Sequence, residues 1–472
     1  MTEAPRPGRR ATLSRERRID VLVLLAILLP AIVAVSVAVI GAEDDSLPGP
    51  QPPTTATLTS ATVICPGGTS GRSGVRVSRA PEVRGGELAV ATAPARGSVT
   101  KATAPVTVAP RTSVVLPASA GAVVVEGRGD AAPGIVAGRD DRLAVPECRA
   151  PSYDEWLVGI GASARHATTV ELVNPDDGDA VVDLALIGED GPVEEPALRG
   201  IEVPAHGVRL VDLAKEAPRA EVTSAHLTVV RGRVTATART TWDPLGRGRV
   251  TTDFLPADPE PATSSLLLGL PDRPVAPTLH LANPGDDEVR VTTRLVTEQA
   301  VFTPTQGRQV AVPPHSTLSV DLSKVLSGDA AKGTLGLLVE ATGPVASSLM
   351  TFDRDDLVLL APAPEVRDPA ALVVPTGDKT LVLGGAERAG VVHVTSYDAS
   401  GKVLADDPVE VGADRAVPLT LPARAVAVAV EARNTPIRAV VTVPASGRQP
   451  GLATLRLLPA ELRARIPAVA PQ

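Results

Sequence analysis

Chemistry needs nucleophiles, acids, bases or metal ligands at workable spacing, so the scarce reactive residues come first. The chain has six histidines, His166, His206, His226, His280, His315 and His393. None forms H-x-x-x-H or H-E-x-x-H, so a zinc site has no support. Ser98-Val99-Thr100-Lys101 fits S-x-x-K, where a lysine activates an acylated serine. Its usual companions S-D-N and K-T-G are missing, and it lies in a Thr/Val run with strand character. No G-x-S-x-G elbow occurs. "PDDGD" from Pro175 and "DRDD" from Asp353 hold enough carboxylates for calcium but lack the twelve-residue EF-hand spacing, and they read as solvated turns. The many other Asp and Glu single out no pair for glycoside hydrolysis. The expectation is no catalytic residue, no metal site and no cofactor.

Two further sets stand out. Cys65 and Cys148 are the two cysteines. In an exported chain such a count reads as one disulfide, closing a loop of 83 residues. The chain-entropy model gives such a bridge about 4–5 kcal/mol. The segment "SYDEWLVGIGA" brings Tyr153 and Trp156 together in a chain with 1% aromatics. The pair is expected to anchor packing between modules, with an interaction groove as the sharper alternative.

Composition limits what surrounds these residues. With 44% hydrophobic residues and almost no rings, the cores must be Val, Leu, Ile and Ala, which suit pleated layers. The shortage of rings removes the stacking platforms of single-strand nucleic-acid binding. A net charge of −8 opposes any nucleic-acid partner.

Residues 21–42 carry no charge and are long enough to span a bilayer as a helix, with Pro30 tolerated inside it. Six arginines precede the span, and Glu43, Asp44 and Asp45 follow it. The positive-inside rule places the N-terminus in the cytoplasm and the rest outside. The apolar run is too long, and its A-x-A-like site too poor, for a cleaved signal peptide, so a retained anchor is expected. The first 20 residues are net +3, which leaves −11 on the remainder.

The organisation follows from a repeat. Asn174-Pro175 recurs as Asn283-Pro284, His206 as His315, and Asp212 as Asp321, each at a period of 109 residues. Asn-Pro ends a strand and turns the chain. Weaker echoes begin at Val106 and Val409. Stretches such as "AVVDLALIG" alternate apolar and polar residues, with turn signals at short intervals. "LVDLAKEAP" and "SVDLSKVLSG" have room for a helical turn at most. The expected fold is all-β: tandem immunoglobulin-like β-sandwich modules after one N-terminal transmembrane helix. The expected boundaries are a basic tail (1–20), the helix (21–42), a Pro/Thr/Ser-rich tether (43–60) and β modules at 61–150, 151–258, 259–365 and 366–472.

The span, "CPGG", "CRAPSYDEWLVGIGA", the Asn-Pro strand end and the "VPxH…VDL" turn together resemble an uncharacterised family of actinobacterial envelope proteins, a domain of unknown function. The resemblance covers most of the chain after the span. It implies secretion or surface anchoring and brings no assigned catalytic residues. The reading is a membrane-anchored scaffold, held in the cell membrane by residues 21–42, that positions an envelope protein or cell-wall partner. The alternative is an accessory or catalytic subunit of an envelope hydrolase or transferase with a site between modules.

Overall fold

The computed structural model describes residues 21–40, 54–69, 73–94, 99–139, 144–218, 220–305, 307, 309–445 and 451–466. The expected basic tail and tether residues 43–53 lie outside these. The tether's last residues are strand rather than linker: Thr54–Thr57 forms one strand and Ser60 opens the next. The β-branched threonines there suit extended backbone.

The chain divides into two units, Met1–Ala56 with Arg465–Gln472, and Thr57–Ala464. The first holds a helix, α1 (Val21–Ile40). Among the described residues no helix is long and apolar enough to cross a membrane. Side chains of α1 are described over 24–36, about 20 Å of helix against a hydrocarbon core of about 30 Å.

The second unit is all-β, with a sandwich-like plan in which each stretch of chain builds a pair of facing sheets. In the first pair, one sheet runs Ser60–Cys65, Val123–Arg128, Gly86–Thr92, and the other Ser113–Val115, Val75–Arg79, Ile135–Arg139. In the second pair the orders are Asp154–Gly161, Val222–Arg231, Ala180–Gly188 and Val208–Asp212, His166–Val173, Thr235–Trp242, Thr251–Leu255. The fourth pair follows the same plan, with Ala370–Val373, Ala427–Ala432, Gly390–Tyr397 facing Val417–Thr420, Thr380–Gly384, Arg438–Pro444, Leu452–Arg456. Alternation is what closes each pair: in His166–Val173 buried positions alternate with half-buried ones, and Val170 and Leu172 meet Leu184 and Leu227 in the core.

The third pair departs in one respect. Ala262–Leu268 and Val289–Thr297 flank one half of a 20-residue strand, Thr334–Asp353, while Pro274–Asn283 and Asp356–Leu360 flank the other half. This strand serves both sheets, where the second pair uses two strands parted at Gly232, a residue with φ +78°. The short-strand expectation fails here. Ala341-Thr342-Gly343-Pro344 replaces the left-handed turn, and the chain bends through it as continuous strand.

The duplicated residues occupy duplicated places. Thr169 faces Asp212 across its ladder as Thr278 faces Asp321. Asn174 and Asn283 are both fully buried. The Nδ2 of Asn174 donates to the carbonyls of Gly178, Val203 and Pro204, and that of Asn283 to Asp287, Val312 and Pro313, at 2.8–3.1 Å throughout. Each Oδ1 accepts the amide two residues on. His206 and His315 share a left-handed φ of 49° and 48°, and each ring reaches an aspartate, Asp177 or Asp286. Asp212 accepts from the Ala214 amide and caps the helical turn Leu213–Glu216, while Asp321 accepts from the Ser323 amide just ahead of the turn Ser323–Leu326.

The pairs stack in one manner. The outward face of each first sheet packs on the outward face of the next pair's second sheet. Ile64, Ala122 and Val124 meet Val173. Trp156, Val158 and Ile187 meet Ala282 and Ala346. Leu266, Leu268 and Val296 meet Val382 and Val440. The fourth pair then returns to the first: Ala370–Val373 lies along Ile135–Arg139, and the Ser113 amide donates to the Ala399 carbonyl at 3.1 Å. The stack is thus a closed ring.

Candidate functional site

At the ring's axis the connectors between pairs converge on a cavity of about 360 Å³. Its wall is mostly apolar, drawn from the edges of the first and fourth pairs at Val136, Gly138, Ala371 and Val373, and it is crossed by buried charges. Arg456 ends the strand Leu452–Arg456 and is 7% exposed at its side chain. Its Nε and Nη2 grip the Glu147 carboxylate at 3.0 and 2.7 Å, in the connector between the first and second pairs. Nη2 also reaches the Ala257 carbonyl at 2.9 Å, between the second and third pairs. Nη1 donates to the Pro362 carbonyl at 2.8 Å, between the third and fourth. One guanidinium therefore ties all three connectors, a task its rigid fork of donors suits.

A second pair stands beside it. Arg149 forks onto Glu155, with Nη2 at 2.6 Å from Oε2, and adds the Ala236 carbonyl. Both side chains are nearly buried. Asp258, next to Ala257, exchanges backbone hydrogen bonds with Trp156. Burial pushes its carboxyl up to about 6, against the pull of Arg456.

The joints between pairs hold other titratable groups. Glu171 points outward from its strand and accepts the Gly67 amide at 2.8 Å across the first joint. Burial raises its pKa despite that bond. His280, 109 residues on, points outward at the second joint, against Gly159. Its Nδ1 bonds Ser319 Oγ at 2.9 Å, and its Nε2 has no hydrogen-bond partner among the described residues. Burial, with the nearby His166, pushes it down to about 3. His166 is pushed down to about 4 by burial.

Of the residues singled out from sequence, Cys65 and Cys148 are joined, with Cα atoms 4.2 Å apart, and Cys148 borders the axial cavity. Tyr153 and Trp156 are placed differently. Tyr153 is 62% exposed, whereas Trp156 is 4% exposed, stacked on His226 at 4.4 Å and packed into the second joint. The indole is too large to leave wet beside so much valine and alanine, so it fills the joint. In "PDDGD", Asp176 forks with Arg233, Asp177 bonds His206 and Asp179 caps the Ala205 amide. Among the described residues no group of three or more His, Cys, Asp or Glu is placed to hold a metal. Ser98 lies outside the described residues, and Lys101 is exposed.

The axial residues Glu147, Arg149, Glu155 and Arg456 were not singled out from sequence. The signal was faint: charges crowd Cys148 in "PECRAPSYDEW", and Arg456 interrupts an apolar strand in "LATLRLL".

A family of unknown function (DUF5719) matches residues 107–422, about two-thirds of the chain. The chain belongs to this family. The match runs from the first sheet pair into the fourth, takes in Cys148 and leaves Cys65 and α1 outside. No curated protein and no solved structure matches the chain.

Proposed function

We propose that this DUF5719 chain is a single-pass, membrane-anchored extracytoplasmic scaffold of the bacterial cell envelope, built from four duplicated immunoglobulin-like modules and without catalysis of its own. The observation that carries the reading is the contrast between α1 and the ring. In α1, Leu24, Leu25, Ile27, Leu28, Leu29, Ile32, Val33 and Val35 are all exposed, an apolar surface that water does not favour and lipid does. In the ring, large apolar side chains are mostly buried and the axial charges are committed to holding connectors. A disulfide fits an oxidising compartment. The arginines before α1 and the acids after it support a cytoplasmic N-terminus.

The test is topological and then functional. Protease added to cells whose wall has been opened should remove everything after residue 42 and spare the tail. Protection of the ring until the membrane is lysed would contradict the orientation. The cavity between sheet pairs favours a second reading, an envelope hydrolase or transferase accessory. Turnover of cell-wall material by purified protein, abolished by Glu147→Gln in a variant that remains folded, would support that reading against the scaffold.

A further inference from the structure

The ring's four contacts between pairs are unlike. Three are sealed by clusters of buried apolar side chains, described above. Among the described residues no such cluster joins the facing sheets of the fourth and first pairs. Val145, from the connector after the first pair, is the apolar side chain that enters the fourth pair's core. The facing surfaces instead leave a small void, with Ser78, Arg79, Arg111 and Val136 on one side and Leu372, Tyr397, Ala427 and Val428 on the other. Backbone hydrogen bonds cross this seam from Ser113 to Ala399 and from Gly134 to Glu461, the second at 2.8 Å. Glu461 belongs to the segment 457–461, which leaves the last strand, pairs at Ala460 with Pro369, and lies over the seam beside the cavity.

Isolated hydrogen bonds contribute little net stability because water replaces them, whereas separating an apolar cluster exposes it. A closed ring opens first at the contact that buries least. The cavity is bordered on that side by Ile135, Val136, Ala137 and Gly138 of one edge strand and Ala371, Leu372 and Val373 of the other.

We propose that the ring opens at the seam between Ile135–Arg139 and Ala370–Val373, with residues 457–461 as its strap, and that this opening widens the mouth of the axial cavity. Hydrogen exchange on the full chain tests it. The amides of Ser113, Gly134 and Ala460 should exchange at least about tenfold faster than those of Trp156, Asp258, Val366 and Ile437, through an opening that denaturant hardly accelerates. Equal protection of the two sets would overturn the proposal. A second measurement uses the absence of free cysteines in the described chain. Val136→Cys, half-buried at the seam and on the cavity lining, gives a reporter thiol, and its labelling by a small maleimide should slow about tenfold once Ser113→Cys and Ala399→Cys are cross-linked. Labelling that ignores the cross-link would show that the cavity is reached by another route.

Discussion

The first and second joints use the same faces of equivalent sheets, yet different chemistry fills them. At the first, Glu171 reaches across to the Gly67 amide, and the Cys65–Cys148 bridge pins the connector beside it. At the second, the equivalent position is His280, pressed against Gly159, while Ser348 and Thr317 donate to the Val158 and Ile187 carbonyls. The strand ends tell the opposite story, since Asn174 and Asn283 make the same set of bonds. Residues that satisfy the chain's own backbone have kept their type through duplication. Residues that face a neighbour have changed with that neighbour.

The largest effect expected from breaking this comparison is covalent. Reducing Cys65–Cys148 should lower the unfolding free energy by about 4–5 kcal/mol, as a loop of this size implies. Denaturant titration with and without reductant reads it. Exchange protection should fall first around Ile64 and Arg149, with Trp156 less affected, and loss spread evenly over both joints would blur the distinction.

Glycine substitutions come next. A Cβ on Gly159 would lie 2.4 Å from His280 Cδ2 on a backbone with φ +75°, so Gly159→Ala should cost about 3 kcal/mol. A Cβ on Gly67 would meet the end of the Glu171 side chain at 2.9 Å. That carboxylate can swing aside, the Ala120 carbonyl at 3.0 Å must give only slightly, and φ is not left-handed, so Gly67→Ala should cost less, about 1–2 kcal/mol. Equal costs would mean that the second joint is no tighter than the first.

The strand ends should behave as twins. Asn174→Ala and Asn283→Ala each remove a buried amide that serves three backbone carbonyls, one of them on a buried valine, at about 2 kcal/mol apiece. Denaturation midpoints should move together, and a shift in one variant alone would show that the shared geometry hides different roles.

A further difference is in pH dependence, where the two joints should differ in sign. His280 resists protonation in the fold until about pH 3, while the unfolded chain takes the proton near 6.5. Its contribution is therefore present above 6.5 and lost as pH falls toward 3. Glu171 is raised by burial, so its contribution is present below the ordinary 4.5 and lost as pH rises through its folded value. Between pH 6.5 and 4, His280→Gln should lose less stability than the parent chain on acidification. Glu171→Gln should remove a gain on acidification. Identical slopes for both variants and the parent would refute the assignment.

What was legible in sequence was local. Turn chemistry is written in a few adjacent residues, so Asn174, His206 and Asp212 announced their copies by spacing alone. Alternation revealed the strands but not which outward position would meet a neighbour. Glu171 and His280 sit among other half-polar positions, and their partners lie in another sheet pair. Arg456 is 309 residues from Glu147, and no period in the chain joins them. Trp156 was visible through its rarity, but rarity does not separate a ring that fills a joint from one that lines a groove.

Arg456→Met separates axial charges that hold the ring from axial charges that serve chemistry. Removing one partner of a buried ion pair typically costs about 3–5 kcal/mol. The expected result is a single unfolding transition of Thr57–Ala464 displaced by that amount, with protection lost together near Glu147, Ala257 and Pro362. A variant as stable as the parent, with these three connectors undisturbed, would contradict the account and return the axial cavity to consideration as a site of binding or reaction.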